Sequence, residues 1–351
     1  MRGDLRGAFA KVGHGVRQGS LAIDSAVLLA DIGGTNARFA LADPRAGMPL
    51  LDDSIRGYPV DRFESLAAAA GHYLEATGAR PAAAVLAVAG RVEREQARMT
   101  NHPWVVSAER VRDALGLASV LLVNDFVAQS AAVRLLREDD LAPIGAPSRI
   151  ATEGDAPRTF AVLGPGTGLG VGALVYRDGR HYPLATEGGH ASFAPGTPEE
   201  IAILERLSAY YGRVSNERLV SGDGLVNIHR ALSEIAGLDP GPMRPEDVTA
   251  GALDGDRRCL RTIDVFCAVF GAIAGDMVLT YGAWAGVYLS GGLVPVLLPA
   301  LQHSGFRQRF EGKGRYAPVM ARVPTLAVQH PPPGLLGAAA LAAEAHAQGR
   351  G

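Results

Sequence analysis

Apolar and polar positions along the 351-residue chain follow a repeating grammar. AVLLADI (26–32) is a short apolar run ending in glycines, the pattern of a strand, and ARFALAD (37–43) after GGTN predicts a second. A helix is expected from about Phe63 to Thr77, with Ala and Leu on one face and Gly78 as its stop. The continuous apolar runs AAAVLAVAG (82–90) and SVLLVNDF (119–126) predict strands covered on both faces, the second leading into an Ala-rich helix over 126–137. A Pro/Gly-rich connector from Pro143 to Pro157 marks a boundary, after which the grammar restarts. FAVLG (160–164) reads as a strand, PGTGLG as a glycine loop and VGALVYRDG as a second strand. Helices are expected near 198–211, 222–236 and 256–281. GVYLSGG predicts a strand ending in a glycine turn, with a helix following Pro295. TLAVQ (325–329) is a short strand, PPP a break and GLLGAAALAAEA a terminal helix.

Each half thus opens with strand, glycine turn, strand, a weak internal repeat. A dinucleotide-binding glycine loop leads from a strand into a helix; both loops here lead into another strand, which argues against that reading of GPGTGLG.

Composition narrows the chemistry. Hydrophobic residues make up 48% and charged residues 20%, as in globular chains, and a net charge of −2 gives no electrostatic reason to expect a nucleic acid partner. Cys259 and Cys267, eight apart in one helical stretch, read as reduced buried thiols of a cytoplasmic protein. Lys11 and Lys313 are the only lysines; Val12 and Gly314 follow them, so neither completes a G-x-x-x-x-G-K-[ST] loop, and neither sits in a kinase V-A-I-K strand. If this chain handles ATP, backbone amides and a metal must hold the phosphates. Residues 1–25 contain no secretory apolar run and read as a flexible extension. Met277–Leu301 has no charge, yet Gly291, Gly292 and Pro295 interrupt it; helix, strand, turn and helix explain it better than a membrane span.

The candidate chemistry lies in a few segments. In DIGGTN, Gly33 and Gly34 permit tight-turn dihedrals and remove bulk, the amides of Gly34, Thr35 and Asn36 can face an anion, and Asp31 is placed to hold Mg²⁺, through water; an ordinary hairpin turn is the bland alternative. In GPGTGLG, four glycines surround Thr167, more than a hairpin needs. Asp125 in VNDF lies where open α/β sheets place ligands, although Asn124 or Asp125 could equally cap a helix. Glu187 and His190 of EGGH can converge on one ligand or be a solvated turn, and Glu217 alone reads as a helix-surface charge.

Together these strings resemble the bacterial glucokinase family of the hexokinase–actin–Hsp70 ATPase superfamily. The resemblance spans about residues 26–345 and rests on LADIGGTNARFAL, MTNHPW, LVNDFVAQS, GPGTGLGVG, EGGHASFAP, ERLVSGDGLVN, LSGGLVP and PGLLGAA, in order. It implies a two-domain α/β actin-like (ribonuclease H-like) fold: a small domain over 26–137, a large domain over 138–330, a cleft between them, and a terminal helix (331–347) packing back on the first. It implies transfer of the ATP γ-phosphoryl group to the 6-hydroxyl of glucose, the first step of glycolysis, with Asp125 as general base. Asn101, Asn124, Asp125, Glu187, His190 and Glu217 would bind the sugar. Gly33, Gly34, Thr35 and Asn36, with Gly166, Thr167 and Gly168, would form two phosphate loops, and Gly291-Gly292 would lie against the adenosine. A homodimer, with neither nucleic acid nor membrane as partner, is also implied. Pro165 and Asp223 are mild departures within loops. Two cysteines cannot supply the C-x-C-G-x-x-G-C zinc motif of repressor-type sugar kinases. The competing expectations are a sugar-sensing regulator without catalysis and an actin- or Hsp70-like ATPase indifferent to sugar.

Overall fold

The computed structural model describes residues 26–99, 102–147 and 156–348. The extension 1–25 and Asn101 lie outside them.

The first half is built on a five-stranded sheet. β1 (Val27–Ile32), β2 (Asn36–Ala42) and β3 (Leu50–Pro59) form an antiparallel meander; α1 (Leu66–Thr77) then returns the chain to β4 (Ala83–Val88), parallel to β1. Three short strands, β5 (Val92–Glu93), β6 (Gln96–Arg98) and β7 (Val105–Ser107), form a separate small sheet. α2 (Ala108–Leu115) leads to β8 (Ser119–Asn124), parallel to β4, and β8 runs into α3 (Asp125–Ala132). The sheet order is β3-β2-β1-β4-β8.

β9 (Leu141–Pro143) crosses to the second sheet. There β10 (Arg158–Pro165), β11 (Leu169–Arg177) and β12 (Arg180–Ala185) repeat the meander. α4 (Pro198–Tyr211), α5 (Gly222–Ile235), α6 (Pro245–Leu253) and α7 (Arg257–Tyr281) precede the parallel strand β13 (Gly286–Leu289). α8 (Leu293–His303), α9 (Phe306–Glu311) and α10 (Ala317–Met320) lead to β14 (Thr325–Val328), and α11 (Pro333–Gln348) closes the chain. The order β12-β11-β10-β13-β14 matches the first sheet strand for strand, with β9 added at the far edge. The weak repeat in the sequence is therefore a repeat of topology.

Local signals explain most boundaries. Ser65 caps α1 by accepting the Ala68 N–H, so the helix begins three residues later than its apolar pattern suggests, and Gly78 ends it at φ 68°. α3 stops at Ala132 rather than 137, because the chain turns and a 3₁₀ turn over Glu138–Asp140 leads into β9. α8 starts two residues before Pro295, whose ring fits the first turn. The uncharged stretch from Met277 is the end of α7, buried β13, a glycine turn and α8, as its breakers imply. α7 is long and apolar enough to cross a membrane, but most of it is buried inside the protein. Cys259 and Cys267 lie buried on that helix as free thiols.

α11 returns to the first half. Leu335, Leu336 and Leu341 join a buried cluster with Leu29, Val85 and Val127 on one face of the first sheet. The opposite face is filled by Phe39, Tyr73, Leu86 and Trp104, among others. α11 lies directly on α3, so close at Gly337 that a Cβ there would overlap the Ala128 carbonyl. Gly337→Ala is expected to lower stability by about 1–3 kcal/mol through overpacking at this crossing, measured by urea unfolding.

Candidate active site

The parallel strands of the first sheet end at one level. Ile32 pairs with Val88, and Val88 with Asn124. The ends of β1 and β8, with β4 between them, are therefore about 10 Å apart on one edge of the sheet. Asp31 stands at the first tip, Asn124 and Asp125 at the other. This is the carboxyl edge where open α/β sheets bind ligands.

Asn124 performs the capping role its sequence position allows. Its Oδ1 accepts the Phe126 N–H at 2.8 Å, while its Nδ2 donates to the Gly90 carbonyl at 3.1 Å. One amide hydrogen and one lone pair remain for a ligand. Asp125 is the first residue of α3 and accepts the Phe126 N–H at 3.0 Å. Burial, followed by the nearby charge of Asp31, raises its pKa to about 7; the charge of Glu187 pushes the same way, while backbone hydrogen bonds oppose it. Burial also raises the Asp31 pKa, opposed by Arg38 at 3.7 Å. Arg38 was not expected from the sequence; it lies opposite Asp31 in the β1–β2 register.

The EGGH turn is seated on β11. A Cβ at Gly189 would overlap the Leu169 carbonyl and one at Gly188 would stand 2.9 Å from Val171, so both glycines are needed for close approach. Glu187 and His190 project from this turn, half exposed, 3.9 Å apart. Glu217 departs from its reading as a helix-surface charge: it lies in a 3₁₀ turn, partly buried, and its Oε2 accepts the Leu169 N–H at 2.9 Å. Neither His190 nor Glu217 hydrogen-bonds Asp125. A cavity of about 450 Å³ opens beside Asn124 and Glu187, lined also by Arg91, Val123, Val127 and Thr186. A larger one, about 670 Å³, lies among α4, α7 and the α8–α9 turn, away from these carboxylates.

The glycine loops correct one expectation and sharpen another. None of Gly33, Gly34, Gly166 and Gly168 has a positive φ, so left-handed dihedrals are not why they are glycine. Missing bulk is the better explanation. A Cβ at Gly168 would overlap the Glu217 carboxylate, and one at Gly170 the Phe126 ring. At Gly166 a Cβ would meet nothing within 4 Å, and at Gly33 only an ordinary contact with the Asn36 carbonyl at 3.7 Å. Those faces are bare. In the first loop the Gly33 N–H is spent on the Asn36 carbonyl; in the second, Gly166 and Leu169 donate to the Gly168 carbonyl and to Glu217. Among the described residues, the amides of Gly34 and Thr35, and of Thr167 and Gly168, have no acceptor. Each loop therefore presents a consecutive pair of free N–H groups beside a threonine, a small anion-binding nest. Gly291 has φ 99° and lies on Gly164 and Pro165, while Gly292 opens α8 with nothing beside it.

Comparisons with known proteins cover nearly the whole chain. The glucokinase family profile matches residues 28–345. A glucokinase of Stenotrophomonas maltophilia is 62% identical over 319 residues, covering 91% of this chain and 95% of its own length. One from Xanthomonas oryzae pv. oryzae is also 62% identical, over 322 residues, with 92% and 96% covered. The crystal structure of a glucokinase from an Antarctic psychrotroph superposes with a TM-score of 0.80 at 32% identity, covering 91% of this chain and 99% of that one.

The raised Asp125 pKa carries a stability consequence. In ligand-free protein the carboxyl binds its proton more tightly when folded, so its contribution is full below the ordinary aspartate value of 3.8 and lost as pH rises through about 7. Asp125→Asn should flatten the decline of Tm over that window, read as the wild-type-minus-variant difference by calorimetry.

Proposed function

The chain belongs to the glucokinase family, and on that premise we propose that it transfers the ATP γ-phosphoryl group to the 6-hydroxyl of glucose, with Asp125 as general base. The observation that carries the reading is Asp125 itself: a half-buried carboxylate at a strand tip, without a cationic partner, with a pKa near 7. Such a group can accept a proton at physiological pH as the hydroxyl attacks.

Phosphoryl transfer asks mainly for positioning and charge stabilisation. The free amides of Gly34 and Thr35 would take one part of the triphosphate, those of Thr167 and Gly168 another, with both threonine hydroxyls as further donors. The bare face of Gly166 leaves room for a phosphate against the backbone. Gly291 and Gly292 would flank the adenosine.

Among the described residues no group of three or more His, Cys, Asp or Glu could hold a metal. That fits Mg²⁺, which keeps most of its water and needs only one or two carboxylates plus phosphate oxygens. Asp31 would hold it through water. Two desolvated carboxylates, with the charge of Asp31 raising the proton affinity of Asp125, are also a setting that favours a cation. When bound, Mg²⁺ supplies charge neutralisation at the phosphates.

Asn124, Glu187, His190 and Glu217 would pair the sugar hydroxyls, and Asn101 remains a proposed further contact. A buried partner left unmatched penalises sugars lacking that hydroxyl by up to about 10⁴. We assign 26–137, with α11, and 138–330 to two domains that close on the sugar and exclude water. A cytoplasmic homodimer completes the proposal, and light scattering on purified protein checks its mass.

ADP release should depend on glucose, and Asp125→Asn should cut turnover by roughly 10²–10⁴ while leaving the fold intact. The wild-type kcat/KM should fall as pH drops below about 7, the Asp125 value. A fully active Asp125→Asn enzyme, or sugar-independent ADP release, would refute the assignment.

A further inference from the structure

Neither the cap of α3 nor the chemistry of Asp125 calls for an aromatic side chain at position 126. Yet the Phe126 ring leaves its helix and packs with Phe160, Val162 and Leu174 of the second sheet. It comes to rest over Gly164 and Gly170, which face each other in the β10–β11 register. A Cβ at Gly170 would overlap the ring, and one at Gly164 would stand 2.6 Å from its tip. These two missing side chains form a socket at the base of the second glycine loop. Gly291 presses on the same strand end, where its Cβ would lie 3.1 Å from the Gly164 Cα. At its other end, Phe126 donates its N–H to the Asp125 carboxylate at 3.0 Å and to Asn124 at 2.8 Å. One residue therefore touches the carboxylate through its amide and the opposite hairpin through its ring.

We propose that Phe126 is a positioning residue whose ring, seated in the Gly164–Gly170 socket, sets the separation between the Asp125 carboxylate and the second phosphate loop. The proposal rests on the reading of Asp125 as base and of 164–170 as a phosphate loop, and adds what holds the two in register. The socket lies below the loop, whose free amides and bare Gly166 stay open. The ring therefore controls geometry without entering either ligand's site. Its loss should lower kcat and leave both ligands' binding groups in place.

The test compares Phe126→Ala, Phe126→Leu, Gly170→Ala and the Phe126→Ala/Gly170→Ala double variant, with Asp125→Asn as reference. Each is assayed for glucose-dependent ADP release at a temperature where circular dichroism shows it folded. Phe126→Ala should lose on the order of 10²-fold in kcat, the cost of about 1 Å of misplacement. The KM values for glucose and ATP should stay within about threefold. Gly170→Ala should lower kcat by displacing the ring, and the double variant should be no worse than Phe126→Ala alone, because the added Cβ then no longer strikes the ring. If Phe126→Ala does not fold, Phe126→Leu carries the same kcat-against-KM criterion at about tenfold. Wild-type kcat in the folded Phe126 variant overturns the proposal, as do multiplying effects of Phe126→Ala and Gly170→Ala. A fully active Asp125→Asn enzyme overturns instead the assignment of the base.

Discussion

A carboxylate that is to take a proton from an alcohol near neutral pH must be desolvated without being tied into an ion pair. A partner cation would lower its pKa and remove its appetite for the proton, and open water would return it to the ordinary range. The surroundings of Asp125 meet that constraint. Its helix begins at the tip of a parallel strand, so the carboxylate stands at the sheet edge rather than on a mobile loop. Its strongest charged neighbours are the acids Asp31 and Glu187. Arg38 lies beside Asp31, two strands away, and Arg91 pairs with Glu93. The same arrangement has an electrostatic cost, since the desolvated acids Asp31 and Asp125 repel whenever both are ionised. On the proposed reading a hydrated cation held by Asp31 would relieve that repulsion.

The glycines serve the same end by close approach rather than by dihedral freedom. Gly168 admits Glu217, Gly170 admits Phe126, Gly189 admits the Leu169 carbonyl and Gly337 admits the Ala128 carbonyl. Each lets a chemistry-bearing segment lie directly on a strand or helix. Glu217 shows the result. One of its oxygens is spent on the Leu169 N–H at the phosphate hairpin, so a carboxylate assigned to the sugar also braces the loop assigned to the nucleotide. On that proposed assignment the sugar and nucleotide sites share a side chain.

Much of this was legible in the sequence, and what was not has identifiable causes. Buried strands such as β1, β4 and β10 announce themselves as apolar runs because both their faces are covered. β3 and β12 were missed: each is an edge strand, LLDDSIRGYP largely exposed and RHYPLA interrupted by Pro183, so neither carries a burial pattern to read. The small sheet β5–β7 is too short for any period. At the site, Asp31, Asn124 and Asp125 were visible as polar residues at the ends of apolar runs. The ion pair to Arg38 requires a strand register, and the contact of Phe126 with Gly170 joins two sheets; sequence spacing encodes neither. The glycines of GPGTGLG have a second cause that sequence spacing does not show: a ring and a carboxylate from elsewhere in the chain occupy two of the places their side chains would fill.

The two sheets share one topology, and their differences sort the chemistry between them. Both glycine turns join the first strand to the second, at the carboxyl end of the parallel set, and both leave two adjacent amides free beside a threonine. Where Thr35 is preceded four residues earlier by Asp31, Thr167 is preceded by the buried Leu163. Where β8 runs into Asn124 and Asp125, β14 is followed by Gln329 and His330. The repeat thus supplies amide donors on both sides and strand-tip acids on one. On the proposed reading a triphosphate would be held from two directions without lysine, and one half alone would supply acids for the metal and the attacking hydroxyl. Lys313 is spent far from this chemistry, tying Asp276 and the Ala272 carbonyl of α7. Placing both acids on one sheet edge fixes their spacing by strand register, which leaves the distance across to the second hairpin as the coordinate that packing between the halves must set.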